Sequence, residues 1–443
     1  MIIAYFASIF ILAIYNNKNK DKNEFLFASR KITIPSFVAT IVTTWYGGIL
    51  AVGESTYSQG IITWIMFCFF YYFSAFIFGF YIGPRIHNKN IYSLPEYFYL
   101  KLGNTAGTIS SILIYLIGSP VPYIIVFATI ITHIYDIAYF TSVVLGVILS
   151  TLYIYIGGLK SVIRTDKLQF ILMYFGFAII LYKLVIEYGG YEYLISNVPE
   201  GNLSFNIKNN LGLLFSWFFI SLITMIDPSI YQRAYSAQNV KTIKKGFLIS
   251  IIFWFIFDAM TISTGLYASA IITSDIYDNT SSPYLQLANI ILPNYYLNTI
   301  FLISLLAIVM STIDSTTFIS SLTFNNFIKR IFKQKIKQNI NWGLIITSIL
   351  SIILCYYFNE AIGYWYIFGS IASCTLLIPF IITLYLENYT LKRPGLSLII
   401  PLITTIYFII NQITNNNSIY PIFPGMLSSI FINTINVSKI KKL

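Results

Sequence analysis

The sequence predicts an all-α polytopic membrane protein. Its 443 residues are 57% hydrophobic and only 10% charged, with a mean hydropathy of +0.74. The apolar residues fall in repeated runs of about twenty, the length at which an α-helix crosses the hydrocarbon core of a bilayer. The runs lack the period-2 alternation of a β-barrel, and helices satisfy their own backbone hydrogen bonds in lipid. The lipid bilayer is therefore the predicted surrounding of the chain.

Polar breaks between the apolar runs predict about 13 transmembrane helices. The predicted spans are 1–15, 32–58, 61–83, 107–132, 136–156, 167–187, 210–232, 246–271, 297–327, 340–357, 361–385, 394–411 and 419–436. The first span is short, but it lacks both the charged start and the small-residue cleavage site of a signal peptide. It is therefore predicted to remain in the membrane as an extra N-terminal helix.

The basic residues predict the orientation of the chain. Twenty-five of the 27 lysines and arginines fall in loops on one side, and only Lys183 and Lys208 lie at or beyond the opposite span ends. By the positive-inside rule, the N-terminus is predicted outside and the C-terminus in the cytoplasm, in a cell's inner (cytoplasmic) membrane. Because the basic residues are dispersed over the cytoplasmic loops, the net charge of +11 does not indicate a nucleic-acid partner.

Composition also argues against an enzyme and against a membrane sensor. Cys68, Cys355 and Cys374 lie far apart inside apolar runs and are interpreted as small core residues. His87 and His133 are the only histidines, in a polar loop and near a span end, which disfavours a histidine-built centre within the membrane. No loop is long enough for a separate soluble domain.

Four of the sixteen carboxylates lie within predicted spans and away from the loops, namely Glu54, Asp227, Asp258 and Asp314. A charge at the bilayer centre costs about 2.5–3.5 kcal/mol on insertion scales, so each must face a cavity, a partner or an ion. A functional role is the favoured interpretation of each, and a structural hydrogen bond between helices is the alternative.

Two of the spans are predicted to be interrupted. Pro228 removes a backbone donor directly after Asp227, and Gly47 and Gly48 allow non-helical torsions in span 2. The interrupted spans are 2 and 7, an odd offset of five, so spans 2–6 and 7–11 run in opposite senses. Interrupted helices at matching positions of two inverted halves are the best sequence indication of the binding site of a transporter.

Four further strings resemble the sodium:solute symporter family. The most specific is "GGLKSVIRTDKLQ" at residues 157–169, which is similar to the family string at the cytoplasmic end of core helix five. "LPEYF" from Leu94, in the loop after span 3, "YQRAYSAQNVKTIKKG" from Tyr231 and "AIVMSTIDS" from Ala307 agree with it in order and spacing. The resemblance implies the ten-helix, 5+5 inverted-repeat core of the leucine transporter.

The core would occupy residues 32–385, with the first repeat at 32–187 and the second at 210–385. Residues 1–31 would form the extra N-terminal helix with a cytoplasmic loop, and residues 386–443 two C-terminal helices with a cytoplasmic tail.

The resemblance also implies a sodium site between spans 2 and 9. By position, its ligands would be the backbone carbonyls of Thr43, Tyr46 and Ile308 and the hydroxyls of Ser311 and Thr312. Sodium is a hard cation that takes about five oxygens, which these groups provide without a cage of net negative charge. Asp166 would lie on the cytoplasmic exit path of the ion. Asp314 is left beside the site, where it either guides the ion or pairs with a neighbour.

The solute is expected between the two breaks. Tyr46, Leu50 and Glu54 follow at i, i+4 and i+8 and so are predicted on one face of span 2. The predicted solute-binding residues are Trp45, Gly47, Gly48, Leu50, Glu54 and Asp227. Trp45, Trp217 and the Tyr364–Tyr366 cluster are aromatic walls in one interpretation and packing residues in the other. Two acids suit a cationic solute or one that donates hydrogen bonds, but they can also share a proton.

These observations predict a sodium-coupled symporter that imports a small organic solute by alternating access, with Na+ as the coupling ion and a monomer sufficient for transport. The alternatives are a proton-coupled transporter of the same fold, using Glu54, Asp227 or Asp258, and a membrane sensor that transports nothing.

Overall fold

A computed structural model describes residues 1–15, 22–89, 93–273, 276–278, 281–331, 341–358, 360–386, 388–415 and 419–439. Helices make up most of these residues, which confirms the predicted all-α class. Seven of the basic residues that carry the predicted orientation lie outside the described residues: Lys18, Lys20, Lys333, Lys335, Lys337, Lys441 and Lys442.

Twenty α-helices follow one another along the described chain. They are α1 (Ile2–Ile14), α2 (Lys22–Phe27), α3 (Ile34–Trp45), α4 (Ile49–Gln59), α5 (Ile62–Trp64), α6 (Phe70–Ile77), α7 (Gly83–His87), α8 (Leu94–Ile117), α9 (Val121–Tyr135), α10 (Tyr139–Tyr188), α11 (Tyr191–Asn197), α12 (Leu211–Ser221), α13 (Pro228–Ser236), α14 (Val240–Ile271), α15 (Pro283–Ile291), α16 (Tyr295–Ile331), α17 (Asn341–Tyr357), α18 (Ala361–Tyr385), α19 (Pro394–Asn415) and α20 (Ile422–Asn436). Short 3-10 helices occur at Ala28–Arg30, Ile207–Asn210 and Leu222–Ile226, and π-helical turns at Ile65–Phe69 and Phe78–Ile82.

Eight helices in the described part of the chain are long and apolar enough to cross a membrane, or nine when the bent pair α3–α4 is counted as one span. Four further apolar helices of 10–17 residues overlap the remaining predicted spans. Each of the 13 predicted segments therefore coincides with helix, and the number of crossings stays a prediction.

Two segments predicted as loops are helical. "LPEYF" begins α8, where the Ser93 hydroxyl accepts a bond from the Glu96 N–H and Pro95 takes a first-turn position. The segment from Gly157 to Asp166 lies in α10, which covers two predicted spans and is kinked at Gly158, where φ is +60°. Its charged residues indicated a loop, but long basic side chains are compatible with a helix end near the interface because they extend toward water.

The centre of the molecule is the contact between α10 and α16, the most extensive between any two described helices. Small residues allow it: a Cβ built on Gly176 would lie 2.2 Å from the Ser304 Cβ, so the two backbones approach closely only with glycine there. Helices α3 and α14 also pack on α10 and on each other. The first half of one interrupted segment (α3) thus meets the long helix of span 9 (α16), and α13 of the other interrupted segment contacts both.

The terminal helices pack on the outside of this centre. Helix α1 lies along α10, where the Ser161 hydroxyl donates to the Ala13 carbonyl (2.6 Å). Helices α19 and α20 pack on each other and on α18, and a two-stranded antiparallel sheet of β1 (Tyr389–Leu391) and β2 (Val437–Lys439) joins them. All three cysteines are buried and free, as predicted for core residues.

The packing of α10 against Phe25 at Gly158 can be tested by substitution. The φ of Gly158, +60°, is a conformation that essentially only glycine adopts, and an added Cβ would lie 2.6 Å from the Phe25 ring. We expect Gly158→Ala to lower the apparent melting temperature of the detergent-solubilised protein by the equivalent of about 1–3 kcal/mol or more. The matched control is Gly103→Ala, where φ is also positive (+82°) but no atom lies within 4 Å. Equal losses in both variants would contradict the packing against Phe25.

Candidate functional site

The first interruption separates α3 from α4. Helix α3 ends at Trp45, α4 begins at Ile49, and their axes differ by 56°, which confirms the predicted break at Gly47 and Gly48. The two glycines are required by close approach: an added Cβ would lie 2.6 Å from the Thr312 Cβ at Gly47 and 1.9 Å from the Trp365 ring at Gly48. The break therefore lies directly against α16 and α18.

The second interruption separates α12 from α13, also as predicted. The chain passes through a 3-10 turn, and Asp227 is extended (φ −71°, ψ 120°) before Pro228 opens α13. The Asp227 carboxylate caps that helix, because its Oδ1 accepts from the N–H of Ser229 (2.7 Å) and of Ile230 (3.1 Å). A carboxyl group thus occupies the N-terminus of a helix inside the membrane region, where the helix dipole favours negative charge.

Backbone carbonyls converge where the first break meets α16. The Thr312 hydroxyl lies 3.1 Å from the Thr44 carbonyl, 3.3 Å from that of Ile308 and 3.4 Å from that of Thr43. Carbonyls in the last turn of a helix have no intrahelical partner, which is why those of α3 are available here. A hydroxyl carries a single proton, so this buried position has more acceptors than donors, and it suits a cation.

A buried carboxylate adjoins the carbonyls. Asp166, on α10, accepts a bond at Oδ1 from the Ser311 hydroxyl (2.7 Å) and at Oδ2 from the Thr40 hydroxyl. Asp166, Ser311 and Thr312 are all completely buried. Five of the six residues predicted for the ion and its exit path take part in these bonds, in two adjoining groups: Thr43, Ile308 and Thr312 in one, and Ser311 with Asp166 in the other.

The remaining predicted ligand is Tyr46, which follows the last residue of α3. Its hydroxyl donates to the Trp254 carbonyl (3.1 Å), and a role for its own carbonyl stays a prediction. Thr44, which the sequence analysis did not include, contributes the carbonyl nearest to the Thr312 hydroxyl. Sequence position alone does not identify which carbonyls an interrupted helix turns toward its neighbour.

Arg233 is the main residue of this region that the sequence analysis missed. It was counted among loop residues, which was wrong: Arg233 lies in α13 and is completely buried. Its Nη2 donates to the hydroxyls of Ser315 (2.6 Å), Thr44 (3.0 Å) and Thr40 (3.3 Å). Thr40 in turn donates to Asp166, so a chain of hydrogen bonds joins α13, α3, α16 and α10.

A cavity of about 140 Å³ lies between the two breaks. Of the predicted solute-binding residues, Trp45, Gly48 and Asp227 line it, together with Tyr46; Gly47, Leu50 and Glu54 are not among its lining residues. Glu54 is exposed, whereas Leu50 is buried. Tyr46, Leu50 and Glu54 would share one face only on a continuous helix. Because the chain bends by 56° between α3 and α4, Tyr46 does not share a helical face with Leu50 and Glu54.

Aromatic rings form much of the cavity wall. Trp45 packs against Tyr71 with ring centroids 5.2 Å apart, and Tyr123 packs against Trp365 at 5.8 Å. Tyr364 also lines the cavity. The other aromatic candidates do not: Trp217 packs on Phe67, and the Tyr366 hydroxyl donates to Gln412, which supports the packing interpretation for both.

The other two carboxylates within spans have different surroundings. Asp258, on α14, lines the cavity opposite the second break and accepts a bond from the Tyr72 hydroxyl. Asp314, on α16, is completely buried, and neither of its carboxylate oxygens has a hydrogen-bond partner among the described residues. Asp314 therefore does not pair with a described neighbour, which was one of the two predicted possibilities.

Two interrupted membrane helices that enclose a cavity are the arrangement of secondary transporters. A sequence model of the sodium:solute symporter family matches residues 25–394 of the chain. The chain belongs to the sodium:solute symporter family, as its strings predicted. The family and the matching relatives are transporters, in agreement with the prediction that the chain is not an enzyme.

The relatives differ in the solute that their names give. The chain is 24% identical to a sodium/proline symporter of Haemophilus influenzae over 53% of this chain and 50% of that protein. It is 25% identical to a sodium/pantothenate symporter of the same organism over 49% of this chain and 46% of that protein. The matches thus span about half the length of these curated relatives. A substrate-bound, outward-open Na+-coupled sialic acid symporter has the same fold, with a TM-score of 0.78 at 14% identity, covering 99% of this chain and 98% of that one.

The buried network around Arg233 is testable by a double-mutant cycle. We expect Arg233→Gln to lower the apparent melting temperature strongly, because it leaves the Asp166 carboxylate without its nearby cation. In the Asp166→Asn background the same substitution should cost less, with a coupling of about 1–3 kcal/mol. Thermal unfolding in detergent of the wild type, both single variants and the double variant measures it. Additive losses would contradict coupling through Thr40.

Proposed function

We propose that the chain is a sodium-coupled symporter that imports a small organic solute by alternating access. The observation that carries the proposal is the convergence of three carbonyls on the single hydroxyl of Thr312, beside Ser311 and Asp166. The proposed ligands of Na+ are the carbonyls of Thr43, Tyr46 and Ile308 and the hydroxyls of Ser311 and Thr312. Asp166 lies on the exit path of the ion.

The arrangement of the break supports coupling between ion and solute. Thr43 and Thr44 end α3 at the ion site, and the residues directly after them, Trp45 and Tyr46, line the cavity. An ion held by α3 carbonyls and α16 hydroxyls fixes the orientation of this break, and so it fixes one wall of the cavity. Sodium therefore raises the affinity for solute, and solute raises the affinity for sodium by the same factor.

The energy of one sodium ion is sufficient for accumulation. An ion that moves down a tenfold gradient releases about 1.4 kcal/mol, and crossing 100 mV adds about 2.3 kcal/mol. The sum of about 3.7 kcal/mol sustains a gradient of several hundredfold for a neutral solute. One ion per cycle is therefore enough for uptake at low external concentrations.

The hydrogen-bond network of Arg233 supports a role in closing the path to the cytoplasm. It joins α13, the segment after the second break, to α3 and α16, which hold the proposed ion site. Release of the ion past Asp166 would disturb the bonds of Thr40 and Ser311 to that carboxylate, and with them the contact of α13. Release of the ion is thus coupled to the opening of the path to the cytoplasm.

The proposed topology follows the sequence prediction. Thirteen helices cross a cytoplasmic membrane with the N-terminus outside, and residues 32–385 form the inverted-repeat core, with repeats at 32–187 and 210–385. Residues 1–31 and 386–443 are additions to it, and a monomer is sufficient for transport.

Proton coupling is the second candidate, and Asp314 is the observation that favours it. A buried carboxylate without a partner is stable in its protonated form and is a natural proton carrier. Solute uptake that persists without sodium and rises as the external pH falls would favour this candidate over the first.

The sodium site is testable without knowledge of the solute. We expect NaCl, against KCl at equal ionic strength, to raise the apparent melting temperature of the purified protein. Ser311→Ala and Thr312→Ala should each raise the half-maximal sodium concentration at least tenfold, because each removes an oxygen ligand. Matched controls on the same helix are Ser321→Ala and Thr299→Ala, whose hydroxyls bond carbonyls one turn earlier. Unchanged sodium dependence in both site variants would refute the assignment.

The orientation is testable by cysteine labelling. Lys208 precedes α12 and Lys244 lies in the first turns of α14, so the interrupted helix α12–α13 separates them. We expect a membrane-impermeant maleimide added to intact cells to label Lys208→Cys and to label Lys244→Cys only after the cells are opened. The three native cysteines are buried and give the background signal. The reverse pattern would invert the topology.

A further inference from the structure

We infer that the solute is an organic cation, an inference that rests on the proposed symport function. Two carboxylates, Asp227 and Asp258, line the cavity, and no lysine, arginine or histidine is among its described lining residues. A cavity with acidic groups and no basic ones favours a solute that brings positive charge.

The N-terminus of α13, at the second break, is not available to a carboxylate of the solute. In transporters of this architecture, the N-terminus of a broken helix binds an anionic group of the substrate. Here the N–H groups of Ser229 and Ile230 already bond Oδ1 of Asp227, which also accepts from the Ser229 hydroxyl (2.5 Å). The chain itself supplies the anion for this helix end. The hydrogen bonds at the helix N-terminus favour the ionised form of Asp227, and Oδ2 takes no part in them.

Asp258 provides a second acceptor from another wall. It lies on α14, is 3% exposed, and accepts a hydrogen bond at Oδ2 from the Tyr72 hydroxyl. The cap residue of α13 and a residue of α14 thus both line one cavity. A cation bound in that cavity would favour the ionised form of both carboxyl groups.

The balance of buried charges also favours a cationic solute. Arg233 is the basic residue of the network beside the cavity, and its guanidinium is held by hydroxyls of Thr40, Thr44 and Ser315 on the ion-site side. In their ionised forms, the three carboxylates of Asp166, Asp227 and Asp258 exceed the one guanidinium by two negative charges. Sodium and a monovalent cationic solute supply two positive charges, so the loaded site is neutral; Asp314 belongs neither to this network nor to the cavity lining.

The aromatic walls and the size of the cavity indicate which organic cations fit it. Trp45, Tyr71, Tyr123 and Trp365 line it, and aromatic rings attract organic cations through their quadrupoles. The volume of about 140 Å³ is close to that of an engineered cavity that holds benzene. The solute is therefore a compact ammonium, quaternary ammonium or guanidinium compound.

The inference is tested by ligand stabilisation of the purified full chain in detergent, in NaCl and in KCl. The probes are propylammonium, propylguanidinium and tetramethylammonium, compared with propanol and propionate, which match propylammonium in length but are neutral and anionic. We expect at least one cation to stabilise the protein in a sodium-dependent manner, with an apparent affinity at least tenfold above that of propanol and propionate.

Two variants connect the binding to the carboxylates. Asp227→Asn and Asp258→Asn should each lower the affinity for the cation at least tenfold, and Asn retains the helix cap because it is as good a capping residue as Asp. The control is Asp136→Asn, since Asp136 is exposed and outside the cavity. It should leave the affinity unchanged.

The outcomes separate this inference from the proposed function. If NaCl stabilises the protein but no cation does, or if propanol or propionate binds more tightly, the solute inference is wrong and sodium coupling stands. Unchanged cation affinity in both cavity variants would also overturn it. If NaCl has no effect relative to KCl, sodium coupling itself fails.

Discussion

A helix that ends inside a membrane protein must find partners for its last carbonyl oxygens, and most of the proposed mechanism depends on this constraint. Helix α3 ends at Trp45, so the carbonyls of Thr43 and Thr44 lose their intrahelical partners far from bulk water. They converge instead on the Thr312 hydroxyl of α16, which has one proton to give. Leaving buried carbonyls unsatisfied is costly, and a bound cation resolves that cost.

The same constraint explains why the break consists of glycines. Without side chains, Gly47 reaches Thr312 and Gly48 reaches the Trp365 ring at distances that a Cβ would forbid. The break therefore contacts both α16, which carries the proposed ion ligands, and the aromatic wall of the cavity. In the proposed cycle, this double contact is what couples the ion to the solute.

Charge balance is the second requirement. Arg233 and Asp166 are both completely buried. Their hydrogen-bond partners are hydroxyls on α3 and α16: Thr40, Thr44 and Ser315 for Arg233, and Thr40 and Ser311 for Asp166. The carboxylates of the cavity, Asp227 and Asp258, have no such counter-ion in its lining. Sodium and a cationic solute complete the balance in the proposed cycle.

The sequence by itself determined the all-helical membrane class, the two interruptions and the family, because hydropathy, Gly–Gly, Asp–Pro and the short strings are local properties of the chain. It also placed Ser311 and Thr312 at an expected ion site and Asp166 on the exit path of the ion, through the family strings and not through physics; the contact between Asp166 and Ser311 came from the structure. Only the tertiary structure decided that Arg233 is buried, that Glu54 lies outside the cavity and that Asp258 lies within it. These facts depend on how helices distant in sequence are rotated against one another, and a bend of 56° in one of them changes which side chains face the cavity.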